Sequence, residues 1–388
     1  MVKRNRTGIY RVTTVGNDKV RAFIPDALPP KPPLHIGGKH QQLLEQAHLA
    51  LGRLDGVRAL LPDSSFFLYT YVRKEAVLSS QIEGTQSSLS DLLLFELNEL
   101  PGGPPEDPEE VILYVAAMDH GLRRLREGLP VCGRLIREIH EVLLSRGRGS
   151  SKDPGQYRRT QNWIGGAQPS RAVFIPPPAD RVTACMTNLE GFIHDDRVDL
   201  PVLVKTALAH AQLETIHPFL DGNGRVGRLL ITLTLCAYRV LKEPLLYLSL
   251  YFKQNRQMYY NLLNQVRTDG DWETWVEFFV EGVRDTADRA VATAQRLGEV
   301  FEADRTRISA LGRGAGSALR VHDALKQRPV VSMASVSQAT GLSAPTVSVS
   351  LGSLEELGII RELTGRRRNR LYGYAKYIAI MNEGTERT

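Results

Sequence analysis

The chain has 388 residues, 42% of them hydrophobic, and its 49 Lys and Arg against 43 Asp and Glu give a formal charge of +6. That length and apolar content are ample for two or three packed domains. Three distant cysteines, Cys132, Cys185 and Cys236, form no C-x-x-C pair and argue against a disulfide framework or a zinc site; no apolar run reaches membrane-spanning length. The basic start, Met1 to Arg6, has no apolar stretch after it, so no secretory leader is expected there and a cytoplasmic location is.

Up to about residue 40 the chain is polar and proline-bearing. Pro25, Pro29, Pro30, Pro32 and Pro33 predict an extended arm laid over a helical body. Helical patterns follow over 41–54 and 66–83. The second is capped by Asp63-Ser64 and stopped by Gly84. Ser79 and Glu83 stand four apart on one face of it. A loop rich in Pro and acids, 101–109, closes this first region, 1–109.

Helices dominate the next region, 110–311. They are interrupted over 150–180, where 154–158 and 162–166 lead into the β-rich Arg171-Ala-Val-Phe-Ile-Pro176. The expectation is a small hairpin with Val173, Phe174 and Ile175 along an exposed edge, whose backbone groups can pair with another segment.

Residues 203–216 are apolar at helical spacing and contain no Gly or Pro. Pro218 opposes continuation, so His217 should sit at the C-terminal edge of that helix. A second apolar stretch runs over 228–241, which makes Gly222-Asn223-Gly224 a turn at a helix N-terminus. Glycines let backbone approach a ligand closely, and free N–H groups with the helix dipole favour an anion. Arg225 and Arg228 share a face and can both reach phosphate oxygens. An imidazole titrating near neutral pH makes His217 a candidate general base. Asp221 is a candidate Mg²⁺ ligand, because Mg²⁺ on substrate phosphates needs only one or two protein carboxylates. Asn223 can donate to a phosphate oxygen.

Gly312 to Ser317 reads as a linker, and the chain changes character over 312–388. Helical stretches at 318–326, 335–341 and 343–357 precede two strand-like stretches, 359–363 and 370–374, joined by the basic turn Thr364-Gly-Arg366-Arg367-Arg368-Asn369. This pattern is a winged helix-turn-helix. The region carries eleven Lys and Arg against six Asp and Glu, nearly all of the excess positive charge. Arg366, Arg367, Arg368 and Arg370 are therefore candidate DNA-backbone contacts.

The run His217-Pro-Phe-Leu-Asp-Gly-Asn-Gly-Arg-Val-Gly-Arg228 resembles the Fic family signature, HPFx(D/E)GNGRxxR, at every defined position. Ser79 to Gly84 resembles that family's inhibitory motif, (S/T)xxxE(G/N). The resemblance implies a mainly α Fic-type bundle with a small β-hairpin flap, here followed by a winged helix. It implies an enzyme that transfers AMP from ATP, with Mg²⁺, to a Ser, Thr or Tyr hydroxyl of a protein and releases pyrophosphate. In that reading His217 deprotonates the hydroxyl and Asp221 holds Mg²⁺ on the phosphates. The Gly222–Gly224 turn with Arg225 and Arg228 binds the phosphates, and Tyr260 stacks on the base. The flap at Val173, Phe174 and Ile175 aligns the target. Ser79, Glu83 and Gly84 deliver a carboxylate to Arg228 in place of the γ-phosphate. The target, which could be the chain itself, the base preference and any reverse reaction stay open, as does a homodimer that would control Glu83. The alternative is a DNA-binding regulator whose Fic domain senses nucleotides or modifies itself.

Overall fold

The computed structural model describes residues 4, 7–16, 18–57, 65–97 and 106–386. The predicted cap at 63–64 and most of the 101–109 loop lie outside the described residues.

The N-terminal arm folds back on itself. Strands β1 (Gly8–Val15) and β2 (Asp18–Pro25) form an antiparallel hairpin in which Gly8 faces Pro25 and Val15 faces Asp18. The β-branched residues of 12–15 favour this, and the prolines that suggested extension all follow it or sit at its last residue. Arg4 locks the arm to the body: its guanidinium pairs with Glu273 at 2.7 Å and also donates to the Pro32 and Gly270 carbonyls.

The body is helical: α1 (Lys39–Asp55), α2 (Ser65–Ile82), α3 (Leu89–Phe95), α4 (Glu106–Arg126), α5 (Gly133–Leu143), α6 (Ala179–His194), α7 (Val202–Ile216), α8 (Asn223–Ala237), α9 (Ser249–Gln254), α10 (Arg256–Thr268) and α11 (Trp272–Ser309). Two helices lie at its centre. Every residue of α7 from Leu203 on is buried, as is nearly all of α8. Apolar residues fall on every side of both helices, so each must be covered all round, and the polar residues among them, such as Glu214, Arg225 and Arg228, are buried with them. The division drawn at 109/110 falls in the first turn of α4, and α4 packs against α2, α5 and α8 in one continuous core.

Helix α11 has 38 residues, about 57 Å of helix. It runs from the body, where it packs on α1 and α7, to the C-terminal unit. The expected linker at 312–317 is one tight turn, Gly312–Gly314, before α12 (Ala315–Gln327) begins. Then come β3 (Val330–Ser332), α13 (Met333–Thr340), α14 (Ala344–Glu356), β4 (Ile360–Glu362), β5 (Leu371–Tyr374) and α15 (Ala375–Asn382). The sheet order is β3-β5-β4, antiparallel throughout, as a winged helix requires. A Ser332–Ser335 capping box opens α13, and Gly341 at φ 67° closes it. Buried polar contacts fasten this unit to α11: Tyr374 donates to Asp304 at 2.9 Å, and His322 lies 3.1 Å from the Tyr374 hydroxyl.

Candidate active site

The site is the loop between α7 and α8. His217 ends α7 in the left-handed conformation, φ 49°, with its N–H bonded to the Leu213 carbonyl at 2.8 Å. Pro218 then turns the chain away. The loop is held from inside. Asn223 accepts from the Phe219 N–H and donates to the Phe219 carbonyl, both at 2.9 Å. The His140 ring stacks on Phe219 at 3.7 Å and bonds the Asp221 carbonyl at 3.1 Å. Arg158, fully buried, donates to the His217 carbonyl at 2.9 Å and to the Pro177 carbonyl. Gly222, at φ 73°, starts α8.

The Ser79–Gly84 segment reaches this loop. Helix α2 brings Ser79 against α8, where Arg228 donates to the Ser79 hydroxyl at 2.7 Å and to the Ser79 carbonyl at 3.0 Å. One turn later the same guanidinium binds Glu83 Oε1 at 2.7 Å. Gly84, at φ 101°, ends the segment. The Glu83 carboxylate lies so close over the first turn of α8 that a Cβ at Gly224 would overlap it. Burial alone would raise the Glu83 carboxyl, but Arg228, then Arg225, outweigh burial and hold it below the ordinary value.

The other predicted residues separate into groups. Arg225 is buried and turns toward Glu110, at 2.5 Å, and Asp221, at 3.7 Å. The Asn223 side chain is committed to the loop backbone, so the anion-binding capacity of the turn rests on the backbone at Gly222 and Gly224. Asp221 stands at the mouth, 39% exposed. Tyr260, on α10, lies beside Arg256, which donates to the Ile82 carbonyl at the end of α2. The flap is a single antiparallel bridge between Ile164 and Phe174. Val173 is exposed, whereas Phe174 is buried against Phe23 and the Arg267 guanidinium, 4.0 Å away. The Ile175 carbonyl is already bonded by the Phe23 N–H of β2. Arg366, Arg367, Arg368 and Arg370 are exposed on the wing.

Burial shapes the electrostatics. The His217 imidazole is held down to about 4 by burial and then by Arg158 and Arg267, so it is neutral at pH 7. Its Nδ1 has no hydrogen-bond partner among the described residues. Glu214, one turn earlier on α7, is pushed up to about 7 by burial. Its Oε1 is also unpartnered, and a Cβ at Gly227 would come within 2.6 Å of it. Sequence reasoning assigned no role to Glu110, His140, Arg158, Glu214 or Arg267. Their side chains arrive from five different segments, and nothing in local spacing marks them.

A helical body that presents an HPFLDGNGR loop at a buried helix N-terminus, with a glutamate-bearing helix laid over it, defines a Fic-type domain. Residues 41–123 match the Fic/DOC family N-terminal model, 130–235 the Fic/DOC family model, and 317–361 a winged helix-turn-helix DNA-binding model. Residues 41–235 of the chain thus carry the N-terminal and catalytic-domain matches of the Fic/DOC family, followed by the winged helix-turn-helix match. The chain is 35% identical over 258 residues to a protein adenylyltransferase Fic of Aedes aegypti, covering 66% of this chain and 48% of that protein. It is 30% identical over 212 residues to the Drosophila grimshawi protein of the same name, covering 53% and 40%. The chain thus spans half or less of the length of these relatives. A solved Fic family protein from Desulfovibrio desulfuricans superposes with TM-score 0.60 at 24% identity, over 89% of this chain and 98% of that one, and shares the fold.

Proposed function

We propose that this chain is an autoinhibited protein adenylyltransferase, which moves AMP from ATP to a protein hydroxyl. The carrying observation is the Glu83 carboxylate bound by Arg228 over Gly224. That is a negative group at the anion-favouring start of a buried helix, where a terminal phosphate would otherwise bind. The relatives named protein adenylyltransferase support the same chemistry.

The neutral His217 can accept the proton of a target Ser, Thr or Tyr hydroxyl as that oxygen attacks the α-phosphorus. Pyrophosphate leaves with the electrons of the broken P–O bond. The backbone at Gly222 and Gly224, with Arg228 once freed of Glu83, orients the phosphates. Tyr260 offers a face to the base, and Val173 an exposed flap position to the target segment. Arg225 acts from behind, holding Asp221 and Glu110. A divalent ion fits Asp221, whose carboxylate is the half-exposed one at the loop mouth. One carboxylate is enough when phosphates and water complete the shell. Mg²⁺ bound there would neutralise phosphate charge.

The test is transfer from α-labelled ATP with Mg²⁺ to the chain or to added protein. Glu83→Gly should label strongly, the parent chain weakly, and Glu83→Gly with His217→Ala not at all. A Glu83→Gly chain that binds ATP yet labels nothing overturns the reading.

A second proposal concerns the wing. Its exposed arginines, on a unit that matches a DNA-binding model, favour contact with a phosphate backbone. Helix α14 contributes no Lys or Arg of its own, so the charged contacts to the phosphate backbone would come from the wing.

A further inference from the structure

The inhibitory helix has a second face. Tyr71, Lys74, Glu75 and Leu78 recur at helical spacing along α2 and form one wall of a cavity of about 360 Å³. Helix α11 supplies Arg289 and Arg296, and the segment after α15 supplies Glu383 and Gly384. No residue of the HPFLDGNGR loop takes part. The size suits a one- or two-ring small molecule.

The lining asks for an anion. Lys74 is 92% covered, yet its ammonium has no hydrogen bond or ion pair among the described residues. Burial pulls it down to about 8, so it is still largely protonated at pH 7. A largely covered cation without a direct partner is costly, and a ligand carboxylate would reduce that cost. Arg289 stands exposed beside it, bonded only to the neutral Gln254 amide among the described residues. The acids compensate only in part: Glu383 and Glu386 favour the charged Lys74 from a distance, but neither pairs with it among the described residues. Glu383 is held by Arg296 through two bonds, at 2.7 and 2.8 Å. Glu75 faces the other way, accepting from the Ser249 hydroxyl at 2.5 Å and the Tyr114 hydroxyl at 3.2 Å. The remaining wall mixes apolar and aromatic residues, Tyr71, Leu78, Leu250 and Tyr247, with the neutral polar Gln254, Thr286 and Thr293; the buried Tyr247 hydroxyl has no partner among the described residues.

We propose that this cavity binds a small organic acid, an aromatic or apolar body bearing one carboxylate, with Lys74 and Arg289 as its anion contacts. Such a ligand would touch two parts of the molecule at once. Lys74 lies nine residues before Glu83 on the same segment, and the opposite wall is the tail of the winged helix. That tail is already bonded to α2, through Gln81 and the Thr385 carbonyl at 3.0 Å. The site is separate from the transferase reading and is tested by binding alone.

The probes are phenylacetate, its uncharged amide phenylacetamide and inorganic phosphate, titrated calorimetrically into the full chain. Phenylacetate should bind saturably and about tenfold or more tightly than either control. Lys74→Met should abolish that preference, Arg289→Gln should weaken phenylacetate several-fold, and His217→Ala should leave it unchanged. Arg289 is exposed, so its variant decides the matter if Lys74→Met does not fold. No saturable phenylacetate binding, equal affinity for the amide, or full binding to a folded Lys74→Met chain overturns the site. Phosphate binding as tight as phenylacetate overturns the organic body.

Discussion

At the scale of single residues, Arg228 is the pivot. Its guanidinium holds Ser79 twice and Glu83 once, so in the proposed reading inhibition rests on two residues of one segment rather than on the glutamate alone. Ser79→Ala removes one buried hydrogen bond, worth about 1 kcal/mol, or about a fivefold shift in an equilibrium. Basal transfer should therefore rise about fivefold, well short of Glu83→Gly; a rate equal to the parent's would show that Ser79 only packs. Four buried histidines set the response to acid. His140, His217 and His322 are held to about 4 and His210 to about 3, each chiefly by burial. Their folded values lie below the unfolded one. The stability they contribute is present above about pH 6.5 and falls with pH below it, by about 1.4 kcal/mol per unit for each. Glu75 and Glu214, pushed up to about 7 by burial, act oppositely and lose stability as pH rises from about 4.5 to 7. Four groups outweigh two, so Tm measured against pH should peak between about 6 and 7 and drop steeply below 6.

At the scale of elements, the unit that matters is α7, loop and α8 with α2 laid across. Gly224 has to be glycine for a reason local geometry does not show, since its φ is not positive. The space a Cβ needs is taken by the Glu83 carboxylate. By the proposed reading, a phosphate takes the same space once Glu83 leaves. Gly224→Ala should therefore fail to activate the parent chain. In the Glu83→Gly background it should weaken ATP binding by about tenfold or more, measured by calorimetry. A chain activated by Gly224→Ala would mean that Glu83 and nucleotide do not share that space. Much of this unit was legible beforehand. The apolar runs, Pro218 and the Gly-Asn-Gly turn located both helices and the loop between them. The roles inside the loop were less legible. Asn223 has the chemistry to meet a phosphate, but the nearby Phe219 backbone occupies both ends of its amide.

At the scale of the whole molecule, α11 joins the helical body to the winged helix, and the C-terminal tail returns to α2. Thr70 and the Tyr377 hydroxyl, 2.7 Å apart, and Asn382 and Ser90, at the same distance, tie the winged helix to the region that carries Glu83. The basic wing points outward. If Arg366, Arg367 and Arg368 meet DNA phosphates, the slope of log affinity against log salt should shrink by about 2.7 when all three become alanine. Fluorescence anisotropy on a labelled duplex measures this; an unchanged slope would place the contact elsewhere or deny it.

Contiguous signals were readable from the chain alone. A twelve-residue run, a six-residue inhibitory pattern and the order of helices and strands after residue 312 identify a Fic domain followed by a winged helix, because each depends on neighbours in sequence. Distance along the chain hid the rest. The pairing of β1 with β2, the union of the first two regions in one core and the Arg225–Glu110 pair join residues set by packing rather than spacing. So do the Arg158 clamp on the His217 carbonyl and the unpaired Lys74 beside its cavity. Only the tertiary structure decides these, since a buried charge or carbonyl is defined by what surrounds it in space.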